Sequence, residues 1–213
     1  MKGIIKHMRV KICGLTNRED AEAAVAAGAD ALGFILYEKS KRFIAIQDAI
    51  RIAAMLPPFV QTVAVTVNAM KEFTNLGWRK QLKNFNLAQL HGEESPVHVK
   101  AVSKYLPVIK VFPADKAKTI DPKQYFVSAF MLDTPAQERG GTGRVFDWNL
   151  AVEFQKRITK PLILSGGLTP ENVAKAIETV HPYAVDVNSG VEASPGRKDH
   201  AKLRDFIQIC KSF

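Results

Sequence analysis

Short apolar runs alternate with helical patterns along the whole chain, and this alternation constrains the fold more than any other feature. Eight runs occur, at residues 9–13, 31–36, 60–67, 87–90, 108–111, 127–132, 162–164 and 184–187. Most are continuously apolar, as expected of parallel strands that are covered on both faces.

Eight strands that alternate with helices favour a closed barrel. We therefore predict an α/β fold, a single-domain (β/α)8 TIM barrel over residues 1–213, with residues 1–8 as a short N-terminal extension. A hydrophobic share of 46% suits one domain with a substantial core. An open doubly wound sheet is the alternative, because periodicity does not establish closure.

The first helix has clear boundary signals. Thr16 and Glu19 have the spacing of a capping box, which predicts a helix beginning at about Asn17. Gly28 is placed to end it.

The boundaries of the later helices are less clearly marked. Thr169 and Pro170 supply a cap and a proline for a helix start before residue 173. We also expect helices within residues 70–85 and 114–125, although their apolar periodicity is weak.

Composition and cysteine content argue against a membrane or secreted protein. No apolar run approaches the roughly 20 residues needed to span a bilayer, and the first nine residues have no secretory apolar core. With Cys13 and Cys210 as the only cysteines, no disulfide framework is expected. We therefore expect a cytoplasmic protein with no membrane partner.

The chain is basic, with a formal charge of +9 from 30 Lys and Arg against 21 Asp and Glu. A nucleic-acid partner is nevertheless not predicted, because the basic residues are scattered and no aromatic-interleaved strip accompanies them. A mildly positive field instead suits a small anionic substrate.

Two strands end on residues that can move protons. Cys13 ends the first run, next to a glycine and a helix start, where a thiol can act as a base if cations assist thiolate formation. Asp133 ends the sixth run and is a candidate proton donor at the same rim. The simpler alternatives are a buried apolar cysteine and an ordinary turn aspartate.

Glycines follow the seventh and eighth runs, where TIM barrels frequently bind phosphate. Gly166 and Gly167 lie in the first of these loops, and Ser189 and Gly190 lie in the second. Tight turns without a ligand are the alternative. Asp186 interrupts an apolar strand and needs partners there, which favours a site role.

Three further polar residues follow strand ends. Arg42 could grip a carboxylate with two nitrogens, although a lone loop arginine is commonly just solvated. Gln89 and His91 end the fourth run, as site residues or as a paired strand end. Residues 135–144, with Gly141 and Gly143, form a long loop typical of a lid.

The histidines show no metal-ligand spacing, so we predict no metal.

With these residues in view, the chain resembles the phosphoribosylanthranilate isomerases of tryptophan biosynthesis over nearly its full length. Seven matching motifs follow one another in order, most of them at a strand end. They are residues 11–15 (KICGL), 40–42 (SKR), 89–92 (QLHG), 132–133 (LD), 140–143 (GGTG) with 146–148 (FDW), 164–168 (LSGGL), and 186–192 (DVNSGVE) with 195–196 (PG).

The resemblance implies an Amadori rearrangement of an aminoaldose to an aminoketose, with no cofactor. It assigns Asp133 as general acid, Cys13 as base and Arg42 as the group that holds the anthranilate carboxylate. Asp186 would orient substrate hydroxyl groups, while Gln89 and His91 would line the site.

The resemblance also implies a phosphorylated small-molecule substrate. The amides of Gly166, Gly167, Ser189 and Gly190 would hold its phosphate, and the loop of residues 141–143, with Gly141 and Gly143, would close over it. The protein would be a monomer or homodimer.

Three alternatives remain at this point. A related sugar-phosphate isomerase, aldolase or lyase could use the same barrel, although the histidine-pathway relative tends to carry aspartate in place of Cys13. A non-catalytic phosphate-binding barrel is the second, since fold does not dictate function. Nucleic-acid binding, suggested only by the charge, is the third.

Overall fold

Eight parallel strands close into a barrel in chain order, with β8 pairing to β1. The computed structural model describes residues 8–135 and 146–213, and of Lys71 only the backbone. The predicted closed barrel is therefore confirmed, and the open sheet is excluded. The strands are β1 Arg9–Ile12, β2 Ala31–Ile35, β3 Gln61–Thr66, β4 Leu87–Leu90, β5 Val108–Pro113, β6 Ala129–Asp133, β7 Leu162–Leu164 and β8 Ala184–Val187.

Both faces of the barrel strands are buried. Inward side chains such as Val63, Val65 and Met131 pack with Cys13 inside the barrel. Outward side chains such as Ile12 and their equivalents on other strands pack against the helices in a second, larger core. Burial on both faces explains why the strands have continuous apolar runs.

Helices surround the barrel, and they return the chain to the start of the next strand after β1, β2, β3, β4, β6 and β7. They are α1 Arg18–Ala27, α2 Ile46–Ala53, α3 Met70–Thr74, α4 Leu76–Leu82, α5 Pro96–Val102, α6 Asn149–Gln155, α7 Val173–Val180 and α8 His200–Lys211. A small antiparallel hairpin, β9 Glu192–Ser194 and β10 Arg197–Lys198, precedes α8.

The predicted capping box of α1 is wrong by one residue. Asn17 is the cap, and its side-chain oxygen accepts from the Asp20 backbone N–H at 2.9 Å. Thr16 instead donates its hydroxyl to Gly196 O at 2.6 Å, which ties this loop to the β9–β10 hairpin. The predicted end is confirmed, since Gly28 adopts a left-handed φ of 100°.

The helix start predicted at residues 169–170 is also displaced. Helix α7 begins at Val173, and Thr169 takes part in a turn before it, donating its N–H to Asn172 Oδ1 at 2.9 Å. The Thr169 carbonyl still accepts from the Val173 N–H at 3.0 Å, so the signal marks the approach to the helix.

The two weakly periodic segments behave differently. Residues 70–85 contain α3 and α4, which are divided at Asn75, whose side chain caps α4. Residues 114–125 are all described and contain no α-helix, only 3₁₀ turns at Ala114–Lys116 and Pro122–Gln124. That prediction is wrong, because the segment lacks an apolar stripe and Pro122 cannot donate a helix hydrogen bond.

Candidate active site

The residues predicted to carry chemistry gather at the carboxyl ends of the strands, the end at which TIM barrels place their active sites. Asp133 is the last residue of β6, and Cys13 follows β1 directly. The others lie in or after strands of the same ring: Arg42 after β2, Gln89 and His91 at the end of β4, and Asp186 in β8.

Cys13 is a buried thiol, 4% exposed, at the junction of β1 and β8. Its backbone N–H donates to Val187 O at 2.9 Å. A methyl group at Gly33 would lie 2.9 Å from both Cys13 Sγ and Lys11 Nζ, so thiol and ammonium share the space beside this glycine. Burial raises the pKa of the Cys13 thiol above its ordinary value, and the charge of Lys11 opposes that rise.

Lys11 is held inside the barrel by Asp186. Its Nζ donates to Asp186 Oδ1 at 2.7 Å, and Ser165 Oγ donates to Oδ2 at 3.1 Å. Burial lowers the pKa of Lys11, but the charges of Asp186 and Cys13 outweigh it and leave the pKa raised. Lys11 is therefore a cation at neutral pH. That Asp186 orients substrate hydroxyl groups stays a prediction.

Asp133 contacts His91 across the barrel mouth. His91 Nε2 lies 3.0 Å from Asp133 Oδ2, and His91 Nδ1 lies 3.3 Å from Gln89 Nε2. The His91 ring therefore contacts the Gln89 amide on one side and the Asp133 carboxyl group on the other. The sequence placed Gln89 and His91 at the rim but did not predict their contact with Asp133.

Arg42 grips a carboxylate of the protein itself. Its Nη2 lies 2.6 Å from Glu192 Oε2, and its Nε lies 2.9 Å from Oε1. Lys198 Nζ also reaches Glu192 Oε1, at 3.3 Å. Burial raises the pKa of Glu192, but these two cations outweigh it and lower the pKa overall. Arg42 thus binds Glu192 through two nitrogens in this structure, and that it holds a substrate carboxylate stays a prediction.

The two glycine loops after β7 and β8 are in contact. Gly166 and Gly167 adopt left-handed φ values of 92° and 66°, which favour glycine. A methyl group at Gly190 would lie 1.9 Å from Leu168 O, so the second loop packs closely on the first. The amides of Gly166 and Gly167, which lie outside helices and strands, donate to no protein acceptor within residues 8–135 and 146–213.

Gly141 and Gly143 lie outside the described residues, as does most of the predicted lid. In the part of the chain that is described, no group of three or more His, Cys, Asp or Glu side chains could hold a metal ion. No helix among the same residues is long and apolar enough to cross a membrane.

Sequence reasoning missed four residues that contact the predicted site: Lys11, Ser165, Glu192 and Lys198. Lys11 carried a usable signal, since a lysine two positions before Cys13 in a strand projects to the same face. Glu192 carried none in its local pattern, because its partner Arg42 is 150 residues away in the chain. Lys198 carried none because it reaches this cluster through Glu192.

The fold and the site define a TIM-barrel enzyme with a thiol and a carboxylate at its mouth, beside two adjoining glycine loops suited to an anion.

Residues 10–209 match the family model described as N-(5'-phosphoribosyl)anthranilate (PRA) isomerase. The chain belongs to this family. It is 47% identical over 209 residues to the N-(5'-phosphoribosyl)anthranilate isomerase of Geobacter sulfurreducens, covering 97% of this chain and 100% of the relative.

Solved structures agree with this membership. The chain is similar to the phosphoribosyl anthranilate isomerase of Thermotoga maritima, with a TM-score of 0.87, 44% identity, and coverage of 97% of this chain and 100% of that one. It is also similar to a phosphoribosyl anthranilate isomerase in complex with reduced 1-(o-carboxyphenylamino)-1-deoxyribulose 5-phosphate, with a TM-score of 0.83, 42% identity and the same coverages. A further Thermotoga maritima structure concerns monomers generated from a dimeric form.

Proposed function

We propose that this chain isomerises N-(5-phosphoribosyl)anthranilate to 1-(2-carboxyphenylamino)-1-deoxyribulose 5-phosphate in tryptophan biosynthesis. The observation that carries the proposal is the placement of Cys13 and Asp133 at the same end of the barrel, beside the two glycine loops. A family relative binds the reduced product of this reaction.

Asp133 is the proposed general acid. It protonates the furanose ring oxygen, the bond from that oxygen to C1′ breaks, and the anthranilate nitrogen forms a protonated Schiff base. The His91 contact at 3.0 Å supports this role, because it fixes the direction of the carboxyl group. Acid or base assistance of this kind contributes about 10²- to 10⁴-fold.

Cys13 is the proposed base. Its thiolate removes the proton from C2′, the electrons of that C–H bond form a C1′–C2′ double bond, and the π electrons of the C1′–nitrogen bond move onto the nitrogen. The product is an enolamine that tautomerises to the ketone. The Schiff base supplies the electron sink, so the reaction as written needs no cofactor. The neighbouring Lys11 ammonium supports thiolate formation.

The carboxylate and the phosphate of the substrate need separate binding groups. We assign the anthranilate carboxylate to Arg42, whose guanidinium is partly exposed while one edge of it holds Glu192. We assign the phosphate to the amides of Gly166, Gly167, Ser189 and Gly190, because they lie in two adjoining loops that follow β7 and β8, where TIM barrels frequently bind phosphate.

The cytoplasm is the proposed location, as suits a biosynthetic family. A homodimer is the proposed assembly, and the dimeric form named for a relative supports it. Light scattering on the purified protein checks the assembly, and a mass of one chain would contradict it.

The activity is tested on purified protein by following the loss of anthranilate fluorescence, with turnover of an aminoimidazole carboxamide substrate measured in parallel. We expect the first reaction and not the second. Turnover of only the second substrate would assign the chain to the histidine-pathway chemistry. Binding of the reduced product without any turnover would indicate a non-catalytic barrel.

A further inference from the structure

Lys11 does not touch the substrate in the proposed reaction, and its position is unusual for a lysine. Its side chain lies inside the barrel, and the residue is 3% exposed. Burying an ammonium is costly unless it is paired, so the site must hold it for a reason. Asp186 pairs with it at 2.7 Å from the adjacent position of β8, and Cys13 lies on its other side, beside Gly33.

Charged groups act on Cys13 from several elements. Lys11 comes from β1, Asp186 from β8, Lys198 from β10 and Arg42 from the loop after β2. Arg42 and Lys198 both share the Glu192 carboxylate. Lys11 Nζ and Cys13 Sγ both lie 2.9 Å from the same point beside Gly33, which places this ammonium next to the thiol.

We propose that Lys11 is a positioning residue for the base: its ammonium lies beside the sulfur and stabilises the thiolate form of Cys13 that accepts the C2′ proton, and Asp186 holds the ammonium in place. The role of Lys11 in catalysis rests on the proposed function. The electrostatic coupling between Lys11 and Cys13 does not rest on it, because that coupling can be measured without substrate.

The proton balance agrees with Cys13 as the base and Lys11 as a residue that does not transfer a proton. When the thiolate takes the C2′ proton, an S–H bond forms, the C–H bond breaks, and the positive charge on the Schiff-base nitrogen is cancelled. Lys11 keeps its own proton throughout, because Asp186 holds the ammonium. Lys11 therefore changes the fraction of Cys13 that is ready to react, and it does not touch the substrate.

The test uses alkylation of Cys13 by iodoacetamide across a pH series. Cys210 is first replaced by Ser, which leaves one thiol; burial already raises the pKa of Cys210 to about 12. In this background we expect Lys11→Met to move the alkylation profile to higher pH by about one to three units. Alkylation at neutral pH then falls at least about tenfold.

Lys110→Met is the matched control. Lys110 is likewise buried in a strand, at 1% exposed, but it lies on β5, four strands round the barrel, and pairs with Glu94 at 2.7 Å. Its removal should leave the alkylation profile of Cys13 unchanged. A shift equal to that of Lys11→Met would overturn the proposal, because the effect would then follow from losing any buried lysine.

A second variant covers the case in which Lys11→Met does not fold. Lys11→Gln keeps a hydrogen-bond donor for Asp186 but removes the positive charge beside the sulfur. The alkylation profile should again move to higher pH. An unchanged profile in either folded variant overturns the proposal.

Kinetics separate this role from a merely structural one. In Lys11→Met we expect kcat to fall and its rising pH limb to move to higher pH, while affinity for the reduced product changes by no more than about twofold. If the parent shows no isomerase activity but alkylation shifts as described, the proposed function fails and the coupling stands.

Discussion

His91 Nε2 lies 3.0 Å from Asp133 Oδ2, which joins the ends of β4 and β6 across the barrel mouth. The Gln89 amide contacts the other ring nitrogen at 3.3 Å, so the ring is oriented from both sides. A carboxyl group that must deliver a proton to one ring oxygen benefits from such orientation, because proton transfer requires hydrogen-bond geometry.

His91→Asn is therefore expected to lower kcat by about ten- to a hundredfold, less than loss of the acid itself. Affinity for the reduced product should change little, because the substrate grips remain. His98→Asn, on the exposed face of α5, is the control and should match the parent. An unchanged kcat in His91→Asn would remove His91 from the mechanism.

The pH dependence of stability is expected to reflect Glu192. Its pKa is lowered in the folded protein from 4.5, so its contribution is present above the unfolded pKa and is lost as pH falls through the folded one. Thermal unfolding should therefore occur at lower temperature as the pH drops below that value.

Glu192→Gln should weaken this acid dependence, and at neutral pH it should lower Tm, because Arg42 and the buried Lys198 lose their shared anion. Glu178→Gln, on an exposed face of α7, is the matched control, and it should leave the acid dependence and the Tm at neutral pH unchanged. Equal acid sensitivity in Glu192→Gln and the parent would contradict the assignment.

The phosphate site is tested by Gly190→Ala. A methyl group there meets Leu168 O at 1.9 Å, so the two loops must separate. Loss of one or two charged hydrogen bonds of about 1.5–3 kcal/mol each should raise KM at least tenfold. Gly77→Ala, on an exposed stretch of α4, is the control and should leave KM unchanged. A normal KM in Gly190→Ala would place the phosphate elsewhere.

Much of the fold could be predicted because the strands are marked by local patterns. Runs covered on both faces are apolar throughout, and β4, β7 and β8 have the predicted bounds. The segment 114–125 could not be predicted in the same way, since it returns along the barrel in 3₁₀ turns without an apolar stripe.

Only those site residues that lie at the ends of apolar strands could be predicted from the sequence. Cys13, Asp133 and His91 each follow an apolar run, so their shared rim follows from the barrel itself. Contacts between distant segments leave no such trace. The pairing of Arg42 with Glu192 and of Lys11 with Asp186 depends on how the strands meet, which no local pattern records.

The most direct test is kcat for Cys13→Ala and Asp133→Asn, each measured with Tm and with affinity for the reduced product. Both variants should fold and bind the analogue, and kcat should fall by about 10²- to 10⁴-fold. Turnover at the parent's rate in either folded variant would contradict the proposal that a thiol and a carboxyl group at the barrel mouth carry the reaction.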